Sequence, residues 1–273
     1  VAILSGLFGL GNLSMKSRIL FKIGGQAFTG EDGFRDLATA IQSNQELEVI
    51  IVHGGGAEIS QALKDADRET VFIDGIRVTQ AEDIKIVEDV LSGTINQRIA
   101  SWLSANGVAC RRMSGKTERL FIVAPLIRKG KDYGYVGRIQ QVNPEVVLQA
   151  LADSRVPVVS PIAADENQES YNVNADSAAA ALAAGVQCTD LVYVTDVPGV
   201  MAGEDVFHAL TIQQAKSLIA AGTIKGGMVA KMESAFEALD QKVPRVHIIQ
   251  WQGPTTLNNI IKQRSTDGTV IHR

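Results

Sequence analysis

The sequence predicts an α/β sandwich around one mostly parallel central sheet. Short apolar runs alternate with amphipathic helical patterns along the chain. The runs are hydrophobic at nearly every position, as strands covered on both faces must be. Several of them stop at glycine, with a helical pattern close behind. Strands that alternate with helices in this way build a sheet with helices packed against it.

Arg18-Ile19-Leu20-Phe21-Lys22-Ile23 is the first expected strand, closed by Gly24-Gly25. Phe34, Leu37, Ala38 and Ile41 then recur at helical spacing. Glu48-Val49-Ile50-Ile51-Val52-His53 is the second strand, and it runs into Gly54-Gly55-Gly56. Ile59 and Leu63 mark the helix behind it. A strand and turn over 71–79 lead into a long helix with Ile84, Val87, Leu91, Ile95, Ile99 and Leu103 on one stripe. Residues 109–142 read as a hairpin insertion beside the main sheet, with a tight turn at Lys129-Gly130-Lys131.

Asn143-Pro144-Glu145 opens another helix, with proline near its first turn. A short strand at 158–160 is stopped by Pro161, and an alanine-rich helix over 174–184 ends at Gly185. A strand at 191–194, helices over 211–221 and 228–239, a strand at 246–249 and a helix over 257–262 follow. Gly268-Thr269-Val270-Ile271 closes the pattern. No low-complexity linker or solenoid-period repeat interrupts it.

Composition narrows the function. A net charge of −4 with no basic run argues against a nucleic-acid surface. The two cysteines, Cys110 and Cys188, lie far apart without metal-ligand spacing, which fits a reducing cytoplasm. Residues 1–13 are apolar but lack a basic region and are cut by Gly6, Gly9 and Gly11. They read as neither a secretory signal nor a membrane span. Met15 is the expected start, which leaves residues 1–14 as an upstream extension.

The chemistry concentrates at four glycine-bearing turns: Lys22-Ile23-Gly24-Gly25, Gly54-Gly55-Gly56, Thr195-Asp196-Val197-Pro198-Gly199 and Lys225-Gly226-Gly227-Met228. A plain strand-to-helix turn needs one glycine or two. Three in a row let a ligand reach bare backbone, whose free N–H groups can hold an anion. Lys22 and Lys231 flank two of the turns, and lysine beside glycine-rich backbone suggests a phosphate chain. Phosphoryl transfer needs positioning and cations around the moving group. Two familiar phosphate signatures fail. Gly115-Lys116-Thr117 lacks the earlier glycine of a P-loop, its place taken by Cys110, and no dinucleotide fingerprint opens a helix after a strand.

In Tyr171-Asn172-Val173-Asn174-Ala175-Asp176, Asn174 suits a helix N-cap and Asp176 the first turn behind it. Asn172 is left over as a candidate ligand-binding amide. Arg77 precedes the long helix, where a guanidinium can grip a carboxylate or serve as a surface ion-pair partner. His53 has no serine or carboxylate motif to make a hydrolytic triad and reads as structural. His208, His247 and His272 show no metal spacing.

Six of these segments, Phe21–Gly25, Val52–Gly56, Gly75–Thr79, Asn172–Asp176, Thr195–Gly199 and Gly226–Lys231, resemble in order the motifs of the N-acetylglutamate kinases of the amino acid kinase family. The resemblance spans 18–271. It implies a three-layer αβα sandwich, with an extension at 1–17 and a kinase domain over 18–273. About 18–165 would bind the amino acid and about 166–273 would bind ATP. It implies ATP-dependent phosphorylation of the γ-carboxylate of N-acetyl-L-glutamate in arginine biosynthesis, with Mg²⁺ bridging ATP phosphates and no protein metal site.

By motif, Lys22 and Lys231 would stabilise the phosphoryl group in flight and Asp176 would hold both lysines. Gly24 and Gly25 would touch phosphates, and Gly55 and Gly56 the reacting end of the substrate. Arg77 would bind the α-carboxylate, with Asn172 and Asn174 beside the substrate. Thr195, Asp196, Val197, Pro198, Gly199 and Val200 would line the nucleotide site with Thr223, Ile224 and Lys225, next to Gly227 and Met228.

Some positions depart from the family pattern. Ala163 replaces a common glycine, Ala230 a frequent proline, and Thr117-Glu118 a frequent Asp-Gly. Ile248-Ile249-Gln250-Trp251-Gln252-Gly253 lacks the Asp-Gly-Arg of arginine-inhibited members, which implies an arginine-insensitive homodimer, with the hexamer as the alternative. The rival readings are a sister kinase acting on carrier-linked aminoadipate or aspartate, and a non-catalytic ligand sensor. Retention of Lys22, Asp176 and Lys231 speaks against the second.

Overall fold

A computed structural model describes residues 17–24, 28, 30–128, 130–263 and 268–273. Residues 1–16, which hold the expected extension, and Gly25 and Lys129 lie outside the described residues.

The first strand, β1 (Arg18–Ile23), is followed by α1 (Glu31–Gln42), which buries Phe34, Leu37 and Ala38 as its spacing requires. Next come β2 (Glu48–His53) and α2 (Gly56–Asp65), which starts on the glycine triplet. A small hairpin, β3 (Val71–Ile73) and β4 (Ile76–Val78), leads into α3 (Ile84–Glu88), a π-helical stretch at Asp89–Ile95, and α4 (Asn96–Ala105). Val87, Leu91, Ile95, Ile99 and Leu103 are all buried and recur every four residues. That spacing exceeds the α-helical turn of about 3.6 residues. The wider π turns in the middle take up the difference and keep the stripe in line.

The middle of the chain supplies β5 (Cys110–Ser114), the hairpin β6 (Phe121–Arg128) and β7 (Lys131–Val142), α5 (Glu145–Ala152), β8 (Val156–Ser160), β9 (Ile162–Ala164) and β10 (Ser170–Asn172). The remainder is α6 (Ala175–Gly185), β11 (Asp190–Thr195), the short pair β12 (Met201–Ala202) and β13 (Asp205–Val206), then β14 (Ala209–Thr211). It ends with α7 (Ile212–Ala220), α8 (Gly227–Asp240), β15 (Arg245–Gln250), α9 (Thr255–Asn258) and β16 (Thr269–His272).

Eight strands form the central sheet in the order β14-β16-β15-β11-β1-β2-β8-β5. The six from β15 to β5 are parallel, while β14 and β16 run the other way. Side-chain alternation splits the core between the two faces. Leu20, Ile50 and Leu191 pack with α5, α6 and α8, whereas Phe21, Ile51 and Val192 pack with α1, α2, α4 and α9. The result is a three-layer αβα sandwich. The sheet runs unbroken across residue 165, because β11 from the later half pairs with β1 from the first.

Two segments differ from the sequence reading. Cys110–Ser114 is not part of the hairpin insertion but the edge strand of the main sheet, paired with β8. Its Arg111-Arg112 pair hides the strand pattern, since an edge strand can leave charged side chains at the solvent. The hairpin itself, β6 and β7, closes a small ring with β9 and β10, strands of three residues each.

The connection from β1 leads to β2 on one side, while the chain after β11 supplies β14, β15 and β16 on the other. Ligands of open α/β sheets collect at such a switch point, outside the carboxyl ends of the strands. Lys22 on β1 and Tyr193 on β11 are register partners there.

Candidate active site

Lys22 is the second-last residue of β1 and shares the sheet face of Leu20. That places its ammonium under the start of α6, whose second residue is Asp176. Lys22 Nζ lies 2.8 Å from Asp176 Oδ1, and Lys231 Nζ lies 3.0 Å from Asp176 Oδ2. The sequence assigns Lys22 to a strand and Lys231 to a helix far along the chain; the fold joins them through one carboxylate. Burial alone would raise the Asp176 carboxyl, but the charges of Lys22 and Lys231 reverse this and hold it at about 2. Burial pulls the Lys231 ammonium below its ordinary value, and the Lys22 charge adds to this. The Asp176 and Asp196 carboxylates act in the opposite sense.

Tyr193 supports the group from below and was not legible in the sequence, where it is one more large residue of a buried strand. Its hydroxyl donates to the Asp176 carbonyl oxygen (3.1 Å), and its ring lies 5.0 Å from Lys231 Nζ.

Beside the lysines opens a cleft of about 210 Å³ lined by Lys22, the glycine triplet, Phe72, Arg77 and Asn172, among others. Gly55 is packed as well as exposed to the cleft: a Cβ there would come within 2.3 Å of Ile95 Cδ1. α2 starts here with no side-chain cap on its first N–H groups. Arg77 is buried, and its guanidinium donates to Gly56 O (2.7 Å), Ser60 Oγ (2.8 Å) and Thr70 Oγ1 (3.2 Å). Phe72 lies across it at 4.8 Å. Burial holds the guanidinium below its ordinary value. All three acceptors are neutral, and among the described residues no carboxylate forms an ion pair with it. A buried cation without a counter-charge favours an anionic ligand.

Asn172 Nδ2 donates to Thr79 Oγ1 (3.2 Å), and its side chain lines the cleft. Asn174 also lines it, yet its amide oxygen already caps α6 by accepting from the N–H groups of Asp176 and Ser177. Ser60 and Thr70 had no sequence signal, since single hydroxyls outside a motif carry none, while Thr79 closes the Gly75–Thr79 segment and was given no role of its own there.

The residues expected at the nucleotide divide into two kinds. Asp196, Thr223, Lys225 and Gly227 are exposed, with Thr195, Val197, Pro198 and Met228 half-buried. Gly199, Val200 and Ile224 are buried. The Val200 N–H donates to Thr269 Oγ1 (2.8 Å), and Val200 and Ile224 belong to the core beneath. Gly24 follows β1, its N–H directed at Val194 O of the neighbouring strand (3.4 Å). α8 starts at Gly227 with no side-chain cap and carries Lys231 in its second turn.

A model of the amino acid kinase family matches residues 17–250. The chain belongs to the amino acid kinase family. Among family relatives, an acetylglutamate kinase of Bacillus velezensis is 39% identical, with 88% of this chain and 92% of that protein covered. An acetylglutamate kinase of Syntrophomonas wolfei is 36% identical over 93% of this chain and 90% of its own length. The crystal structure of a Streptococcus mutans protein matches with a TM-score of 0.79 at 27% identity, covering 94% of this chain and 99% of that one.

Proposed function

We propose that this chain transfers the γ-phosphoryl group of ATP to the γ-carboxylate of N-acetyl-L-glutamate, giving N-acetyl-L-glutamyl 5-phosphate as a step of arginine biosynthesis, a reading supported by relatives named acetylglutamate kinase at 36% and 39% identity. The observation that carries the reading is one carboxylate, Asp176, that holds two ammonium groups and itself lines, with Lys22, a cleft containing a buried guanidinium without an ion-pair partner among the described residues. The acceptor is already ionised at neutral pH, so no general base is required. The obstacle is repulsion between two anions. Lys22 and Lys231 oppose it, and Asp176 keeps the pair of cations in place before substrates arrive. Arg77 takes the α-carboxylate of the acceptor, and Asn172 helps to hold the acceptor beside it.

In this reading, about 18–165 contributes most of the acceptor cleft, and about 166–273 carries the nucleotide shelf over 195–200 and 223–228, with Lys231 beside it. Both oxygens of Asp176 are engaged by lysines, and among the described residues no three acidic, histidine or cysteine side chains cluster as a metal site. Mg²⁺ would therefore come with the ATP phosphates rather than in a protein cage, where it would offset phosphate charge. Two free thiols fit a cytoplasmic protein, and among the described residues no helix is long and apolar enough to cross a membrane. The proposed assembly is a homodimer, which light scattering on the purified chain tests.

The functional test is ADP release measured against N-acetyl-L-glutamate, N-acetyl-L-aspartate, aspartate and carrier-linked aminoadipate. Release that depends on N-acetyl-L-glutamate is the expected result. Release driven best by another acceptor would move the chain to a sister activity.

A further inference from the structure

His53 is fully buried at the carboxyl end of β2, directly before the glycine triplet. Its two ring nitrogens have different partners. Nδ1 lies 3.0 Å from Gly54 O, and Nε2 lies 3.1 Å from Asn96 Nδ2. Which nitrogen carries the proton is decided further out. Arg112 Nε donates to Asn96 Oδ1 (3.1 Å), and arginine has only donors to offer. The Asn96 amide is thereby oriented with Nδ2 towards Val158 O (2.9 Å), Met113 O (3.3 Å) and His53 Nε2. An amide nitrogen donates and cannot accept, so a proton on His53 Nε2 would face a donor, and Nε2 is bare. Burial holds the ring neutral by lowering its pKa to about 4. The single ring proton is then on Nδ1 and is donated to the Gly54 carbonyl.

In a trans peptide the carbonyl and the following N–H point in opposite directions. Fixing the Gly54 carbonyl therefore fixes the Gly55 N–H. Gly55 lines the cleft beside Lys22, and among the described residues its N–H makes no backbone hydrogen bond. A peptide between two glycines has little steric preference of its own, so its orientation has to come from a neighbour.

We propose that His53 is a positioning residue: locked as the Nδ1–H tautomer by the Arg112–Asn96 chain, it holds the Gly54–Gly55 peptide so that the Gly55 N–H points into the cleft at the acceptor carboxylate. The inference rests on the kinase reading above. A donor set in advance costs nothing at the moment charge moves, whereas a freely turning peptide would have to be ordered in the transition state.

Two measurements test it. Histidine side-chain ¹⁵N–¹H spectra of the wild-type chain at neutral pH, with the His53 signal assigned by its loss in His53→Asn, should show Nδ1 protonated. A protonated Nε2 overturns the proposal. In the second, His53→Asn puts an amide nitrogen near the Nδ1 position and keeps the donor, while His53→Gln puts one near Nε2 and loses it. The expected result is a kcat within about threefold of wild type for His53→Asn. For His53→Gln, kcat should fall at least about tenfold, with KM for ATP unchanged. Equal kcat in the two variants overturns the positioning role. A wild-type chain inactive on N-acetyl-L-glutamate removes the kinase reading and the role with it, whereas the tautomer signal reports the hydrogen-bond chain separately.

Discussion

Lys22 and Lys231 come from opposite ends of the chain to one carboxylate, 2.8 and 3.0 Å from the two oxygens of Asp176. Side chains of all three are largely buried, and among the described residues Asp176 is the carboxylate that forms an ion pair with both lysines. Asp176→Asn should destabilise the fold by about 3 kcal/mol, the usual cost of stripping a buried ion of its partner. Urea unfolding measures this. A loss below about 0.5 kcal/mol would mean that the lysines do not depend on that carboxylate.

Arg77 donates to three neutral acceptors inside the cleft and carries a charge that nothing described there cancels. Arg77→Ala should raise KM for the acceptor at least about tenfold while changing kcat much less, as expected for an interaction made equally in ground and transition states. An unchanged KM would take Arg77 out of substrate binding.

The hairpin over the cleft is fastened at Gly134, whose φ of 66° suits glycine and whose Cβ, if present, would lie 2.4 Å from Thr79 O. Thr79 is tied to the same strand by its N–H to Tyr133 O (3.2 Å) and by the Tyr135 N–H to Thr79 O (2.7 Å). Gly134→Ala should cost about 2 kcal/mol or more in thermal or urea unfolding, and it should raise KM for the acceptor by displacing Thr79 from Asn172. Stability and KM both at wild-type values would show that the seam is not needed.

Much of this was legible in the sequence, and the parts that were not share a cause. Apolar runs and helical stripes are long-range averages, so β1, β2, α1, α6 and α8 could be read from periodicity. The glycine turns and both lysines stood out because each departs from its surroundings. Cys110–Ser114 was lost because an edge strand pairs on one side and tolerates arginine. The strands β9, β10 and β14 have three residues each, too few for a pattern. Ser60 and Tyr193 enter the site through pairing register and loop closure, which single residues do not announce; Thr79 lay inside a recognised segment, but its contact with Asn172 exists only in the fold. Glu118 is a mixed case. The sequence marked Thr117-Glu118 as a departure from Asp-Gly, and the structure shows why glycine suits the second place: Glu118 has a φ of 49°. Its carboxylate pairs with Arg111 (2.9 Å), an exposed contact of small worth.

Acid should weaken the fold in two stages. Burial lowers His53 from 6.5 to about 4, so between those values the unfolded chain binds a proton that the folded one refuses. Stability therefore falls as pH drops through that window, by about 3 kcal/mol in all, with no further loss from His53 below it. The lowered carboxyl of Asp176 acts further down. Its contribution is complete above 3.8 and disappears as pH falls towards 2. Urea unfolding between pH 7 and 4 should show the first slope in the wild-type chain and a flatter one in His53→Asn. Parallel slopes would assign the loss to other groups.

The most direct test is a single-turnover measurement of phosphoryl transfer from labelled ATP to N-acetyl-L-glutamate, with enzyme in excess, for the wild type, Lys22→Ala and Lys231→Ala. Each variant keeps the other lysine on Asp176 and should fold, while the transfer step slows at least about a hundredfold, in line with removing one charge from the migrating group. A transfer rate in either folded variant within about threefold of wild type would contradict the account.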